Sequence, residues 1–189
     1  RDLGRLDVLI NMASLYKALE LDLRQPAPDD LQALFPAGAA AVRLEIGFGG
    51  GEHMAGRADM LPDHGFIGAE PLVNGVAQAL VHVSGGNVNG AGSASSPLGN
   101  VRIHHGDARD VLERLPDASL SAAFILFPDP WHKLRHHKRR LVQPEFIALL
   151  RRKLKPGGTL HLATDWEDYA RQMLALLSAA EGFENAAGL

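Results

Sequence analysis

The stretch Ala122-Ala123-Phe124-Ile125-Leu126-Phe127 is apolar throughout. A short run without polar alternation predicts a strand buried on both faces of a parallel sheet. Such a strand needs helices on both sides, which restricts the chain to an α/β architecture. The run leads directly into Pro128-Asp129-Pro130-Trp131-His132-Lys133. The two prolines fix their own φ and restrict the residues before them, so Asp129 is held in a stiff turn. That turn lies at the carboxyl end of a strand, the edge where open α/β sheets bind ligands. Lys133, Arg135, Lys138, Arg139 and Arg140 follow, with His132, His136 and His137 among them, and no acid intervenes before Glu145. An acid in a rigid turn, a ring that can stack and a cationic segment suit a polyanion carrying a reactive base. A metal site at the three histidines is disfavoured, because the chain has no cysteine and no carboxylate ligand lies close in sequence.

Charge supports this reading through its distribution rather than its sum. The net charge is −3. Set aside the five cations of 133–140, and 14 Lys and Arg remain against 22 acids. A concentrated basic patch on an otherwise acidic chain supplies phosphate affinity without a high overall pI. The 189 residues suffice for one domain with a sizeable core. Without cysteine, disulfides and thiolate zinc sites are excluded. No apolar run is long enough to cross a bilayer and no signal peptide is visible, so no membrane partner and a cytoplasmic location are expected. Arg1 is not an initiator Met, which points to residues upstream of it.

Along the chain, Val8, Met12, Leu15, Tyr16, Leu19 and Leu23 recur at helical spacing, so 8–23 is expected to be a helix. Pro26 and Pro28 end it, and Pro28-Asp29-Asp30 starts a second, short one. Residues 1–40 are therefore read as a helical extension and 41–189 as the main domain. Val42–Gly47 is the first strand of that domain and runs into Gly47-Phe48-Gly49-Gly50-Gly51. The dinucleotide pattern G-x-G-x-x-G would place a glycine at position 52, which is Glu52, and no P-loop Lys-Ser/Thr follows. With Glu45 on the strand, the loop suits a cationic, amine-bearing ligand better than a pyrophosphate. S-adenosylmethionine carries both a sulfonium and an ammonium group.

Phe66–Glu70 is a second strand. Glu70 falls 19 residues after Gly51, where a doubly wound fold places the carboxylate that holds ribose hydroxyls. Leu72, Val73, Val76, Leu80 and Val83 mark a helix face. The Gly/Ser/Asn-rich segment 84–100 is expected to be a flexible loop. Val101–His105 is a third strand, and Asp107 after it can accept from an exocyclic adenine amine. Val111, Leu112 and Leu115 mark a short helix, and 121–127 is strand four. Gln143–Leu154 is an amphipathic helix, stopped by a turn at Pro156-Gly157-Gly158. Thr159–Ala163 is a fifth strand, Asp165 leaves its end, and a helix follows from Trp166. The fold class expected is a mostly parallel sheet with helices on both faces, joined by right-handed crossovers.

Leu44-Glu45-Ile46-Gly47-Phe48-Gly49, Gly68-Ala69-Glu70-Pro71, Gly106-Asp107-Ala108, the segment Phe127–Arg140 and Ala163-Thr164-Asp165-Trp166 together resemble the bacterial tRNA (guanine-N7)-methyltransferases, in register from about residue 42 to 183. The resemblance implies a Rossmann-like S-adenosylmethionine-dependent methyltransferase fold. It implies methyl transfer to N7 of a guanine in the variable loop of tRNA, with S-adenosylhomocysteine as product and no metal. Glu45, Gly47, Gly49, Glu70, Asp107 and Asp129 would hold the cofactor, Asp129 would also be catalytic, and Lys133 and Asp165 would contact substrate. Arg139 and Arg140 are expected to bind phosphates. The family pattern continues past residue 189 with two strands and a Thr-rich charged motif, so truncation at the C-terminus is expected. Competing readings are an amino-methyltransferase on another nucleic acid, since Asp129-Pro130-Trp131 is similar to an Asp-Pro-Pro-aromatic motif, and a non-catalytic tRNA-binding module. A nicotinamide dehydrogenase is disfavoured by the glycine spacing.

Overall fold

The structure is a computed structural model that describes residues 5–85 and 97–186; the side chains before residue 12 are outside the description. Helix α1 spans Arg5–Leu19 and a 3-10 turn Leu31–Leu34, followed by β1 Ala41–Ile46, α2 Glu52–Met60, β2 His64–Glu70 and α3 Val73–Val83. Strand β3 Val101–His105, α4 Ala108–Arg114 and β4 Leu120–Leu126 come next. A 3-10 turn Leu134–Arg139, α5 Pro144–Lys153, β5 Leu154–Ala163 and α6 Glu167–Ala179 complete the order.

The five strands form one sheet in the order β3-β2-β1-β4-β5, and every neighbouring pair is parallel. Strand order reverses between β1 and β4, which makes the crevice above their carboxyl ends the topological switch point. The glycine loop after β1 and the proline-bracketed turn after β4 flank it.

Alternation along the strands divides the core in two. Val42, Leu44 and Ile46 of β1 with Ala123 and Ile125 of β4 face α4, α5 and α6, where Val111, Leu112, Ile147, Leu150 and Met173 are buried. Phe66, Val101 and Ile103 face the opposite way, onto Met54 and Ala58 of α2 and Ala79, Leu80 and Val83 of α3. Each face contributes hydrophobic stabilisation of roughly 25 cal/mol per Å² of apolar area removed from water.

Two expectations need adjusting. The first helix stops at Leu19 rather than residue 23, because Glu20 bridges Ile103 and the Leu21 N–H donates to the Ile103 carbonyl at 2.8 Å. Pairing with the β3 edge wins over helical spacing there. Pro156-Gly157-Gly158 is not a turn ahead of a strand. It lies inside β5 as a bulge, since Leu120 pairs with Leu154 while Ala122 pairs with Thr159. The flexible loop expected at 84–100 falls largely on 86–96, outside the described residues; on its near side the Leu98 N–H donates to the Val83 carbonyl at 2.9 Å.

Candidate active site

The glycine loop is built for backbone exposure. Gly47, Gly49 and Gly51 have φ of 68°, 55° and 79°, values that a residue without Cβ adopts freely. Open space surrounds the point where a Cβ would stand on Gly47 and on Gly49, so a ligand can lie against the backbone there. Gly75, in the first turn of α3, is required for another reason: a Cβ on it would meet the Gly49 carbonyl at 2.4 Å. Helix α3 therefore supports the loop by direct backbone contact.

Two buried acids hold this edge. Glu70 is 5% exposed. Its Oε2 accepts from the Gly49 N–H at 2.9 Å and its Oε1 from the Leu72 N–H at 2.9 Å. One carboxylate thus ties the loop after β1 to the loop after β2, and each oxygen keeps a second lone pair. Glu45 is 4% exposed, and its Oε2 lies 2.6 Å from Nδ1 of His53. Burial pushes the Glu45 carboxyl above the usual range, against the pull of the His53 bond. His53 sits tilted on Phe124 at 5.2 Å, and Phe124 is stacked at 4.7 Å on His161 of β5. The sequence reading missed His53. Its only signal was its place in the first turn of the helix after the loop. Asp107, exposed, is the N-cap of α4 and accepts from the Arg109 N–H at 2.8 Å.

Beyond β4 the chain makes the stiff turn expected of its prolines. Phe127 and Trp131, on either side of Pro128-Asp129-Pro130, have φ of 53° and 46°. A left-handed conformation costs a non-glycine residue about 1–2 kcal/mol, so surrounding contacts must impose it. Two are evident. The Phe127 N–H donates to the Ala163 carbonyl at 2.8 Å, and Nε of Arg140 donates to the Pro130 carbonyl at 2.8 Å. Asp129 is exposed. Among the described residues, neither Asp129 nor Asp165 forms a hydrogen bond or ion pair.

Arg140 corrects one expectation. It does not present its charge to a phosphate, for it is 1% exposed. Its guanidinium also donates to Gln172 Oε1 at 2.6 Å and Asp168 Oδ2 at 2.7 Å, and lies 4.7 Å over the Tyr169 ring. Asp168, Tyr169 and Gln172 belong to α6, so Arg140 fastens the turn after β4 to that helix. The Arg140 bond holds the Asp168 carboxyl below its usual range. Sequence position gave no hint of this, since Arg139 and Arg140 are adjacent cations. Arg139 is exposed and lies 4.9 Å over the Trp131 ring. Lys133, Arg135 and Lys138 are exposed as well. The three histidines disperse: His132 meets Trp166, His136 meets Trp131, and His137 meets Arg140.

A doubly wound parallel sheet, a glycine loop at its switch point and acids at successive strand ends define a Rossmann-like methyltransferase fold. The chain is similar in fold to a precorrin-6y C5,15-methyltransferase from Geobacter metallireducens, with a TM-score of 0.53 at 18% identity, covering 88% of this chain and 68% of that one. It belongs to the family described as "Putative methyltransferase", whose pattern matches residues 39–188. Among curated proteins it is 57% identical to a tRNA (guanine-N(7)-)-methyltransferase of Sphingopyxis alaskensis, over 72% of this chain and 55% of the relative. A protein of the same name from Novosphingobium aromaticivorans is 52% identical, over 84% and 64%. The chain spans little more than half the length of the first of these.

Proposed function

We propose that residues 41–189 form the catalytic domain of a tRNA (guanine-N7)-methyltransferase that uses S-adenosylmethionine. The observation that carries this reading is the pairing of two unlike surfaces at one switch point. On one side stand an open glycine loop and carboxylates; on the other, a rigid acid with exposed cations. The names of the relatives support it.

Glu45, Glu70 and Asp107 at successive strand ends, with Gly47 and Gly49, would hold the cofactor; the acids suit its positive charges and hydroxyl donors. When bound, that group supplies an electrophilic methyl on sulfonium. Guanine N7 keeps a free lone pair at neutral pH, so no strong base is needed. The chain must supply position and electrostatics. Asp129, exposed and without an internal partner, accepts from the guanine N1–H and amine and favours the positive charge that methylation leaves on the base. Asp165 assists from the end of β5. Lys133, Arg135, Lys138 and Arg139 take phosphates. Among the described residues no helix is long and apolar enough to cross a membrane; action on tRNA in the cytoplasm is part of this proposal.

The test is methyl transfer from labelled S-adenosylmethionine to unmodified tRNA, with the product nucleoside identified by mass spectrometry and S-adenosylhomocysteine affinity measured alongside. Label in 7-methylguanosine is expected, with Asp129→Asn lowering turnover about 100-fold. Label on an exocyclic amine would make it an amino-methyltransferase. tRNA binding without transfer would make it a binding module.

A further inference from the structure

Large exposed apolar side chains are not scattered evenly over this molecule. Among the described residues there are seven, and four of them lie within three residues of the carboxyl end of a strand: Leu72 and Val73 after β2, Phe127 after β4, and Trp166 after β5. Single exposed apolar residues need no explanation, but a cluster at a binding edge does. Phe127 is the most informative. It is 65% exposed although its backbone is held in a left-handed conformation at φ 53°. An aromatic in that region is an outlier that persists only where its surroundings fix it. Here the bond from its N–H to Ala163 does so, and the ring is presented to solvent instead of being folded into the core below.

Trp166 stands beyond the neighbouring strand. It is 39% exposed, its backbone N–H is held by Thr164 Oγ1 at 3.2 Å, and the His132 ring meets it at 4.2 Å with planes 64° apart. Contact with His132 links the segment after β5 to the segment after β4. Trp131, the aromatic that the sequence offers for stacking, is already engaged. The Arg139 guanidinium lies over it at 4.9 Å, and the His136 ring approaches it edge-on at 6.0 Å.

We infer that Phe127 and the His132–Trp166 pair form an aromatic slot for one unstacked nucleobase, with Asp129 between them in the chain to read its donors. The inference rests on the function proposed above and deepens it, by naming the groups that hold the target base. Stacking is tolerant of base identity because every base has a π-face. Selection of guanine therefore falls to Asp129, and the rings supply residence and orientation.

The test follows Trp166 emission, tRNA retention, methyl transfer and S-adenosylhomocysteine affinity in the 189-residue chain. Trp131→Phe leaves Trp166 as the one tryptophan. Its emission is followed while unmodified tRNA is added at saturating S-adenosylhomocysteine, and tRNA binding is measured separately by filter retention. Phe127→Ala, Trp166→Ala and Trp166→Phe are then compared in methyl transfer. Expected are quenching of Trp166 on tRNA binding, and a loss of kcat/KM of about ten- to a hundredfold in each alanine variant. Trp166→Phe should recover most of that loss, and S-adenosylhomocysteine affinity should not change. Retained tRNA with unquenched Trp166 and full kcat/KM in both alanine variants would overturn the slot alone. A parallel loss of S-adenosylhomocysteine affinity would move the rings to the cofactor side and also overturn it. If the unaltered chain bound no tRNA, the underlying function would fail, and the slot with it.

Discussion

His53 illustrates how one side chain sets the state of another. Glu45 is pushed toward protonation by burial and pulled back by the His53 bond. Glu52 lies close enough to push in the same direction as burial. Under the function proposed above Glu45 receives an ammonium and must be ionised to do so, so removing the His53 donor would shift binding toward higher pH. Replacing His53 by Phe is expected to weaken S-adenosylhomocysteine binding most at the acid end of the range, by roughly tenfold for each pH unit that the Glu45 titration moves up. It should also move the acid limb of affinity against pH upward. His53→Asn keeps a donor near Nδ1 and should restore most of both, as titration calorimetry from pH 5 to 8.5 would show. Arg139 and Arg140 give a second contrast between neighbours. Arg140→Met removes the buried end of four hydrogen bonds and of the contact with the Tyr169 ring, and should cost about 3 kcal/mol in urea unfolding. Arg139→Glu should cost under about 1 kcal/mol, yet reduce the salt slope of tRNA binding by about one. Equal destabilisation by the two would contradict the burial of Arg140.

Among the elements, α3 and α6 do more than cover the sheet. Helix α3 brings Gly75 against the Gly49 carbonyl. Gly→Ala within a helix ordinarily gains about 0.5–1 kcal/mol. Gly75→Ala is expected to reverse that sign, costing about 1–3 kcal/mol through overpacking. It should also weaken S-adenosylhomocysteine binding by tenfold or more, because the displaced partner is the loop itself. Thermal melts with and without ligand would show it, and a stabilised variant with intact affinity would refute the contact. Helix α6 serves the other half of the site. Tyr169 is fully buried and its hydroxyl accepts from the Val142 N–H at 3.0 Å, while Asp168 and Gln172 hold Arg140. The last helix thus fixes the turn that carries Asp129.

For the whole molecule, protonation links these groups to stability. His104 and His161 have pKa values lowered chiefly by burial. The unfolded chain therefore takes up these protons first as pH falls below about 6.5. Their contribution is complete above that value and lost as pH drops through their folded pKa values. Glu45 works in the opposite sense: its raised pKa makes the folded state bind a proton more readily, a contribution lost as pH rises. Urea midpoints between pH 7 and 5 should fall in the unaltered chain, less steeply in a His104→Leu, His161→Phe variant, and more steeply in Glu45→Gln.

Most of the frame was legible from residues alone. Alternation and apolar runs located five strands, because these runs are too short for a helix and are bounded by glycine, proline and acidic turn residues. Glycine spacing and acids at strand ends marked the carboxyl edge of the sheet, where the structure places Gly47, Gly49, Glu45 and Glu70. Pairing was not legible, since it depends on which strands meet. The sheet order set Glu20 and Leu21 on β3 and ended α1 early, and it absorbed Pro156-Gly157-Gly158 into β5 as a bulge. Partner choice was equally hidden. Arg140 and Arg139 are the same residue type one position apart. Only the docking of α6, with Asp168 and Gln172 waiting for one of them, turns the first inward to hold the turn and leaves the second outside in solvent.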